Sequence, residues 1–262
     1  MKRLALVRDV SPDIAHCELT HLARAPIDIA EAARQHAAYL EALAAAECRI
    51  EHLAPAPGLP DAVFVEDTAV VLDELAVITR PGAASRRAET ASVAKALRRY
   101  RPIESIAAPA TLDGGDVLVS GRTLFVGLTA RTSTQGAAEL ARITVSAGYT
   151  VRTVPVTGCL HLKSAVTEVA DRTLLINPDW VDPALFEDYR LLPIDPGEPF
   201  GANALRIGDA VIYPAEFPRT ARRLRREALD VREVEAGELA KAEGGVTCCS
   251  LVLNGVGVGG ER

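Results

Sequence analysis

Five polar residues, Asp67, Asp116, His161, Asn203 and Cys248, each stand just ahead of a run with strand character, at intervals of 42 to 49 residues. Intervals of that size are the signature of propellers and arrays. The elements that follow repeat as well. Asp67 leads into a hairpin (69–72 and 75–79, turned at Asp73-Glu74), a helix near 86–100 and a strand at 103–107. Asp116 leads into strands 117–119 and 123–126, a helix over 134–147 stopped by Gly148, and a strand at 149–154. After His161 come a hairpin turned near Asp171, a helix seeded by Asp182-Pro183 and a strand at 191–194. After Asn203 come a hairpin turned at Gly208-Asp209, a helix near 218–229 and a strand at 231–234.

The fifth copy is split across the termini. Cys248 opens a strand at 250–253 and the chain soon ends, whereas a strand at 3–8, a helix and a strand at 49–53 stand unpartnered at the start. Asp28-Ile29-Ala30-Glu31 has the form of a capping box, and Ile29, Ala33, His36, Leu40 and Leu43 mark one face of the helix. The order predicts an α/β fold: one domain over residues 1–262, built as a pseudo-fivefold ring of five ββαβ units with no dividing linker. Closure removes the unpaired edges. It also carries equivalent positions of different units to a common axis, so residues distant in sequence meet.

Composition narrows the function. A net charge of −6 argues against a general nucleic-acid surface, which needs a basic excess. The pairs Arg86-Arg87, Arg98-Arg99, Arg222-Arg223 and Arg225-Arg226 read first as solvated helix faces. Arg8 and Asp9 interrupt the N-terminal apolar run before a signal region develops, and no stretch is apolar for long enough to span a membrane. Five cysteines, odd in number and mostly scattered, fit free thiols in a reducing cytoplasm rather than a disulfide scaffold.

The chemistry concentrates where the ring closes. Glu243-Gly244-Gly245-Val246-Thr247-Cys248-Cys249-Ser250 presents a thiol on a turn whose glycines permit close approach to a ligand. Taken alone, Cys248 reads as a buried structural cysteine; convergence with His161 on the axis makes it a nucleophile with an acid–base partner. Cys249 points to the other face of the strand and is assigned to packing. His161, between Leu160 and Leu162, needs an orienting acceptor, which Asp113 or Asp116 of Leu112-Asp113-Gly114-Gly115-Asp116 supplies. Asp61, Glu66 and Asp67 add carboxylates within seven residues, so the natural ligand of the cavity is a cation, and a planar guanidinium pairs with carboxylates in bidentate fashion. Arg86 and Arg131 are helix-start residues or a clamp for a substrate carboxylate. The aperiodic passage from Asp9 to Pro26 has the length of a lid. No C-x-x-C or H-E-x-x-H spacing and no phosphate-cradling Gly-rich motif is present, so no metal or cofactor is expected.

Several of these blocks resemble the dimethylarginine dimethylaminohydrolases. They are Leu59-Pro60-Asp61-Ala62-Val63-Phe64-Val65-Glu66-Asp67, Thr79-Arg80-Pro81-Gly82-Ala83 with Ser85-Arg86-Arg87, Thr111 to Asp116, Ala130-Arg131-Thr132, Leu160-His161-Leu162-Lys163 and Gly244 to Ser250. They occur in the family's order from about residue 59 to the end. The resemblance implies the pentein fold, a five-unit α/β propeller, and hydrolysis of Nω-methylated arginine to citrulline through a covalent thiouronium. It assigns Cys248 as nucleophile, His161 as proton donor and Asp113 as its orienting carboxylate. It gives Leu19, Asp61, Glu66, Asp67, Arg86, Arg131 and Ala242 to substrate binding, with Leu19 on a mobile loop. It implies a small-molecule partner and leaves a homodimer open. Glu243 departs from the family's common Asp. The alternatives are an arginine or agmatine deiminase of the same superfamily, a non-catalytic pentein binding module, and a thiol or zinc sensor using Cys248-Cys249.

Overall fold

The computed structural model describes residues 3–255; the expectation of one domain over 1–262 reaches into residues 1–2 and 256–262, which lie outside those described. In chain order, β1 (Arg3–Val7), α1 (Ile29–Ala45) and β2 (Cys48–His52) come first, with β1 and β2 parallel. There follow β3 (Ala69–Val71), β4 (Ala76–Ile78), α2 (Thr90–Leu97) and β5 (Ile103–Ser105), then β6 (Val117–Ser120), β7 (Thr123–Leu128), α3 (Thr134–Thr144) and β8 (Thr150–Pro155). Next are α4 (Leu162–Ala165), β9 (Val166–Ala170), β10 (Thr173–Ile176) and β11 (Arg190–Pro193). The chain goes on through β12 (Leu205–Ile207), β13 (Ala210–Pro214), α5 (Pro218–Arg226) and β14 (Asp230–Val234) to α6 (Gly237–Ala240) and β15 (Leu251–Leu253). Five three-stranded sheets result, each an antiparallel hairpin with a third strand parallel to its centre. In the fifth, β15 pairs antiparallel with β1, placing Leu4 opposite Leu253, so the first and last strands close the ring.

The packing explains the closure. Each sheet is apolar on both faces, and successive side chains of a strand point to opposite faces. Leu4 and Leu6 of β1 pack with Ala76, Ile78 and Leu97 of the unit that follows, while Ala5 and Val7 pack with Ile212 and Val234 of the unit before. The same division recurs at every junction: Val77 with Leu124, Phe125 with Leu174, Leu175 with Val211. Each sheet is therefore sandwiched between two others, an arrangement that burial of apolar surface favours over an open array with an exposed terminal face.

The local signals held unevenly. Asp28 caps α1 by accepting from Glu31 N at 3.0 Å, but Glu31 pairs with Arg34 instead of returning to Asp28, so only half of a capping box forms. The buried stripe of α1 is Ala32, Gln35, His36, Tyr39 and Leu43; Ile29 and Ala33 face outward. The element after Asp182 is a single 3-10 turn, Pro183–Phe186, and the segment before α2 is likewise 3-10 over Ala84–Glu89.

At the axis the turns preceding the five hairpins are tied into a circuit of hydrogen bonds. Gly115 N donates to Asp67 Oδ1 (3.0 Å), Leu162 N to Asp116 Oδ1 (2.9 Å) and Thr247 N to Asn203 Oδ1 (3.2 Å). Asn203 Nδ2 donates to Lys163 O (2.9 Å), and Glu66 N donates to Cys248 O (3.1 Å) to complete it. The recurring polar residue of the sequence is thus the link between neighbouring units. The first strands of all five units line a polar cavity of about 540 Å³, whose walls also include Glu66, Lys163 and Thr247.

Candidate active site

A second, much smaller cavity, of about 10 Å³, gathers Asp61, Asp67, Arg86, Arg131, His161, Ala242 and Cys248, residues spread over four units of the ring. Cys248 lies in a turn over residues 246–249, ahead of β15 and not inside it. Gly245 N donates to its sulfur at 3.2 Å. The two glycines admit neighbouring protein: a Cβ on Gly244 would stand 2.2 Å from Phe64 Cε1, and one on Gly245 2.4 Å from Asn203 Oδ1. The left-handed residue of the segment is Glu243, at φ 59°. Cys249 is buried, as packing required.

His161 caps the short α4 and is held from both sides. Its Nε2 meets Asp113 Oδ2 at 3.0 Å, and its Nδ1 lies 3.7 Å from Asp67 Oδ1. Of the two candidate orienting carboxylates, Asp113 makes the contact. Asp116 instead accepts from Thr129, Thr132 and Leu162 N. Asp113 is itself fixed, accepting from Gly82 N at 2.8 Å while its own N–H donates to Thr132 Oγ1. Gly115 admits this crowding: a Cβ there would sit 2.6 Å from Asp67 Oδ1 and 2.7 Å from His161 Nδ1. Burial alone would depress the imidazole pKa. The carboxylates of Asp67, Asp116 and Asp113 outweigh it and raise the pKa to about 9. Asp67, opposed by burial but stabilised by His161, Arg86 and Gly115 N, is lowered to about 2. The Cys248 thiol is pushed up to about 12, by burial first and then by Glu66 and Asp67. At neutral pH the site therefore pairs a protonated imidazole with a protonated thiol.

The remaining expected residues divide. Arg86 is buried and heavily engaged: its Nε and Nη2 bind Glu89, Nη2 also reaches Asp61 O and Phe64 O, and Nη1 binds Asp67 Oδ2 at 2.5 Å. Of its five donors, one Nη1 hydrogen has no partner among the described residues. Arg131 donates to Thr20 Oγ1 at 3.1 Å, and Asp61 accepts from Glu18 N at 3.1 Å. Glu66 and Leu19 do not line this cavity. Glu66 is turned toward Lys163 and Thr247 Oγ1, at 2.5 and 2.8 Å, and Leu19 packs against the cluster around Val7 and Phe64. Glu18, Phe64, Leu160, Glu243 and Gly244 line the cavity without having been singled out as its walls. The only prior hint for Glu18 was its place in the lid passage, which carries no side-chain direction.

Asp67, Asp113 and His161 bring ligand-capable atoms within 4.8 Å of one another. Both ring nitrogens of His161 already face carboxylates and Asp67 pairs with Arg86, so the protein's own cations balance this cluster. No described helix is long and apolar enough to cross a membrane.

No family model matches the chain. It is 42% identical over 252 residues to the N(G),N(G)-dimethylarginine dimethylaminohydrolase of Streptomyces coelicolor, covering 95% of this chain and 96% of that protein. With the enzyme of the same name from Pseudomonas aeruginosa it shares 36% over 226 residues, 86% of this chain and 89% of that protein. Among solved structures, a cysteine-to-serine variant of the Pseudomonas aeruginosa enzyme in complex with citrulline superposes with a TM-score of 0.90 at 32% identity, over 97% of this chain and 100% of that one. The product-bound N-terminal domain of ArgZ, a cyanobacterial arginine dihydrolase, gives a TM-score of 0.87 at 18% identity, over 97% and 98% of the two chains, and bears on the fold alone. The fold is the five-unit propeller of the pentein enzymes. With at least 36% identity to two such hydrolases across most of both chains, the chain belongs to the dimethylarginine dimethylaminohydrolase family.

Proposed function

We propose that this protein hydrolyses Nω,Nω-dimethyl-L-arginine, and Nω-methyl-L-arginine, to L-citrulline and the corresponding methylamine. One observation carries the reading: a thiol, a charged imidazole and acidic side chains from separate units line one enclosed cavity in a chain of this family. The substrate cation answers the carboxylates. Its approach opposes the influence of Glu66 and Asp67 on Cys248, lowering the thiol pKa so that the proton leaves to solvent. The thiolate attacks the guanidinium carbon. His161 then gives its proton to the departing dimethylamine nitrogen as the C–N bond breaks, leaving a thiouronium. The neutral imidazole next takes a proton from water and the hydroxide adds to the same carbon; as the C–S bond breaks, the proton of the added oxygen passes to the departing sulfur, which restores the Cys248 thiol and releases citrulline. Asp113 holds the ring through both steps, and Asp67 and Asp61 hold the guanidinium and the substrate amine. Arg131, with the spare hydrogen of Arg86, holds the carboxylate. Orientation against the sulfur is the main task, since a delocalised guanidinium is a weak electrophile.

All five thiols are free, which supports a reducing compartment, the cytoplasm. A homodimer is the assembly to test, by sedimentation beside the kinetics. The decisive assay offers the purified protein dimethylarginine, monomethylarginine, arginine and agmatine, and measures citrulline and carbamoylputrescine. The expected order has the methylated arginines first. A higher kcat/KM for arginine or agmatine assigns the chain to the deiminases instead.

A further inference from the structure

In the conformation described, the cavity at Cys248 has room for about one water molecule. An amino-acid-sized guanidine needs far more; Glu18 is one wall of the cavity, and movement of the segment it opens, residues 18–22, would make room. Four contacts hold that segment down. Asp61 accepts from Glu18 N, Ser85 Oγ donates to Glu18 Oε1 at 2.5 Å, and Arg131 donates to Thr20 Oγ1. The fourth is of another kind. The carboxylate of Glu243 accepts three consecutive backbone N–H groups, from Thr20 (2.9 Å), His21 (2.6 Å) and Leu22 (2.7 Å).

We propose that Glu243 is a positioning residue for the reaction: it latches the lid, setting substrate affinity without touching the reacting atoms. The proposal rests on the function given above for its kinetic part only. Asp61 and Arg131 line the cavity and are the groups a substrate's charged ends would claim, so their lid contacts are re-shared when substrate enters. Glu243 lines the cavity too, but its carboxylate oxygens are taken up by backbone N–H groups of the lid. Three successive N–H groups form a concave anion site, and hydrogen bonds to an ionised carboxylate are stronger than neutral ones. The backbone of Glu243 points the same way. A non-glycine residue in the left-handed region is held there at a cost, and such strain persists where surrounding contacts over-determine it. Ala242 and Gly244 on either side line the cavity, so the latch also ties the lid to the segment that leads into the turn carrying Cys248.

The test uses the full chain and three variants. Glu243→Gly removes the carboxylate at a φ that glycine adopts freely, so misfolding does not cloud the result. Glu243→Gln keeps one carbonyl oxygen, and Glu243→Asp keeps the charge on a shorter arm. Amide hydrogen exchange at Thr20, His21 and Leu22 is expected to quicken at least about tenfold in Glu243→Gly, with β1 and α1 unchanged. KM for dimethylarginine should rise on the order of tenfold with a smaller change in kcat, and Glu243→Asp and Glu243→Gln should fall between. Wild-type exchange at those three amides in Glu243→Gly, or a loss confined to kcat, overturns the latch. If the wild-type chain turns over no guanidine, the proposed function fails, while the exchange rates still decide the latch.

Discussion

Two sets of residues, interleaved around the inner ring, occupy equivalent positions and do different work. In one set, Asp116 and Asn203 spend their side chains on stitching. Asp116 accepts from two threonine hydroxyls and Leu162 N, and Asn203 exchanges bonds with Thr247 and Lys163 O. In the other set, Asp67 also accepts from Gly115 N and Arg86 Nη1, but His161 and Cys248 retain capacity. His161 Nδ1 stands 3.7 Å from its second carboxylate, beyond a hydrogen bond, and the Cys248 sulfur takes only weak contacts. Buried polar groups are satisfied as a rule. What distinguishes the reactive set is unfinished bonding beside concentrated charge, not the kind of residue that the fold placed there.

The comparison breaks first at Cys248. Cys248→Ser keeps size and the Gly245 N contact but replaces a soft nucleophile with a hydroxyl that the acidic surroundings hold protonated. Citrulline formation should fall by on the order of 10⁵-fold or more, with Tm within a few degrees of wild type. Retained turnover would move the chemistry off these residues altogether. A smaller loss should follow from Gly115→Ala, which deletes no reactive group. The added methyl meets Asp67 Oδ1 and His161 Nδ1 inside contact distance, so both must shift. A displacement near 1 Å costs about 10²-fold in rate, and kcat is where it should appear. An unchanged kcat would mean that the spacing between imidazole and carboxylate is slack.

These two residues also mark how far the sequence could be read. The order of elements was legible because strand and helix periods and turn residues are local, and five repetitions of one order corrected for any single weak segment. The identity of the inner position was legible for the same reason: one polar residue ahead of each hairpin. Which way each side chain turned was not, because that depends on partners from other units. Glu66 and Asp67 are adjacent, yet one faces Lys163 and the other His161. Leu19 and Glu18 exchange places at the cavity for a similar reason, the lid having no period that fixes its faces. The glycines before Cys248 read from the sequence as room for a ligand; the groups that a Cβ there would meet are Phe64 and Asn203, which the sequence does not bring near. Glu243 carried its signal only as an exception to a family pattern. Its three lid contacts lie more than two hundred residues away in the chain.

The subtlest test crosses the two sets. Asp116 stitches, but its charge is one of three that raise His161 to about 9. Asp116→Asn retains one carbonyl oxygen for Leu162 N and removes that charge. The alkaline fall in kcat/KM, governed by loss of the His161 proton, should therefore begin at a lower pH than in wild type, while the rate at pH 7 changes little because the imidazole stays largely protonated there. The stability effect has its own sign. Burial raises Asp116 from the usual 3.8 to about 6, so the wild-type fold loses stability as pH climbs between those values, since the unfolded chain releases that proton earlier. The variant has no such loss. Its penalty from mismatched threonine partners, about 1–3 kcal/mol, should be fully visible near pH 4 and partly cancelled above pH 6. A pH profile of rate unchanged beside a pH-dependent stability difference would make Asp116 a stitch alone. A shift in both places one residue in the service of both sets, with its hydrogen bonds given to the ring and its charge to the imidazole.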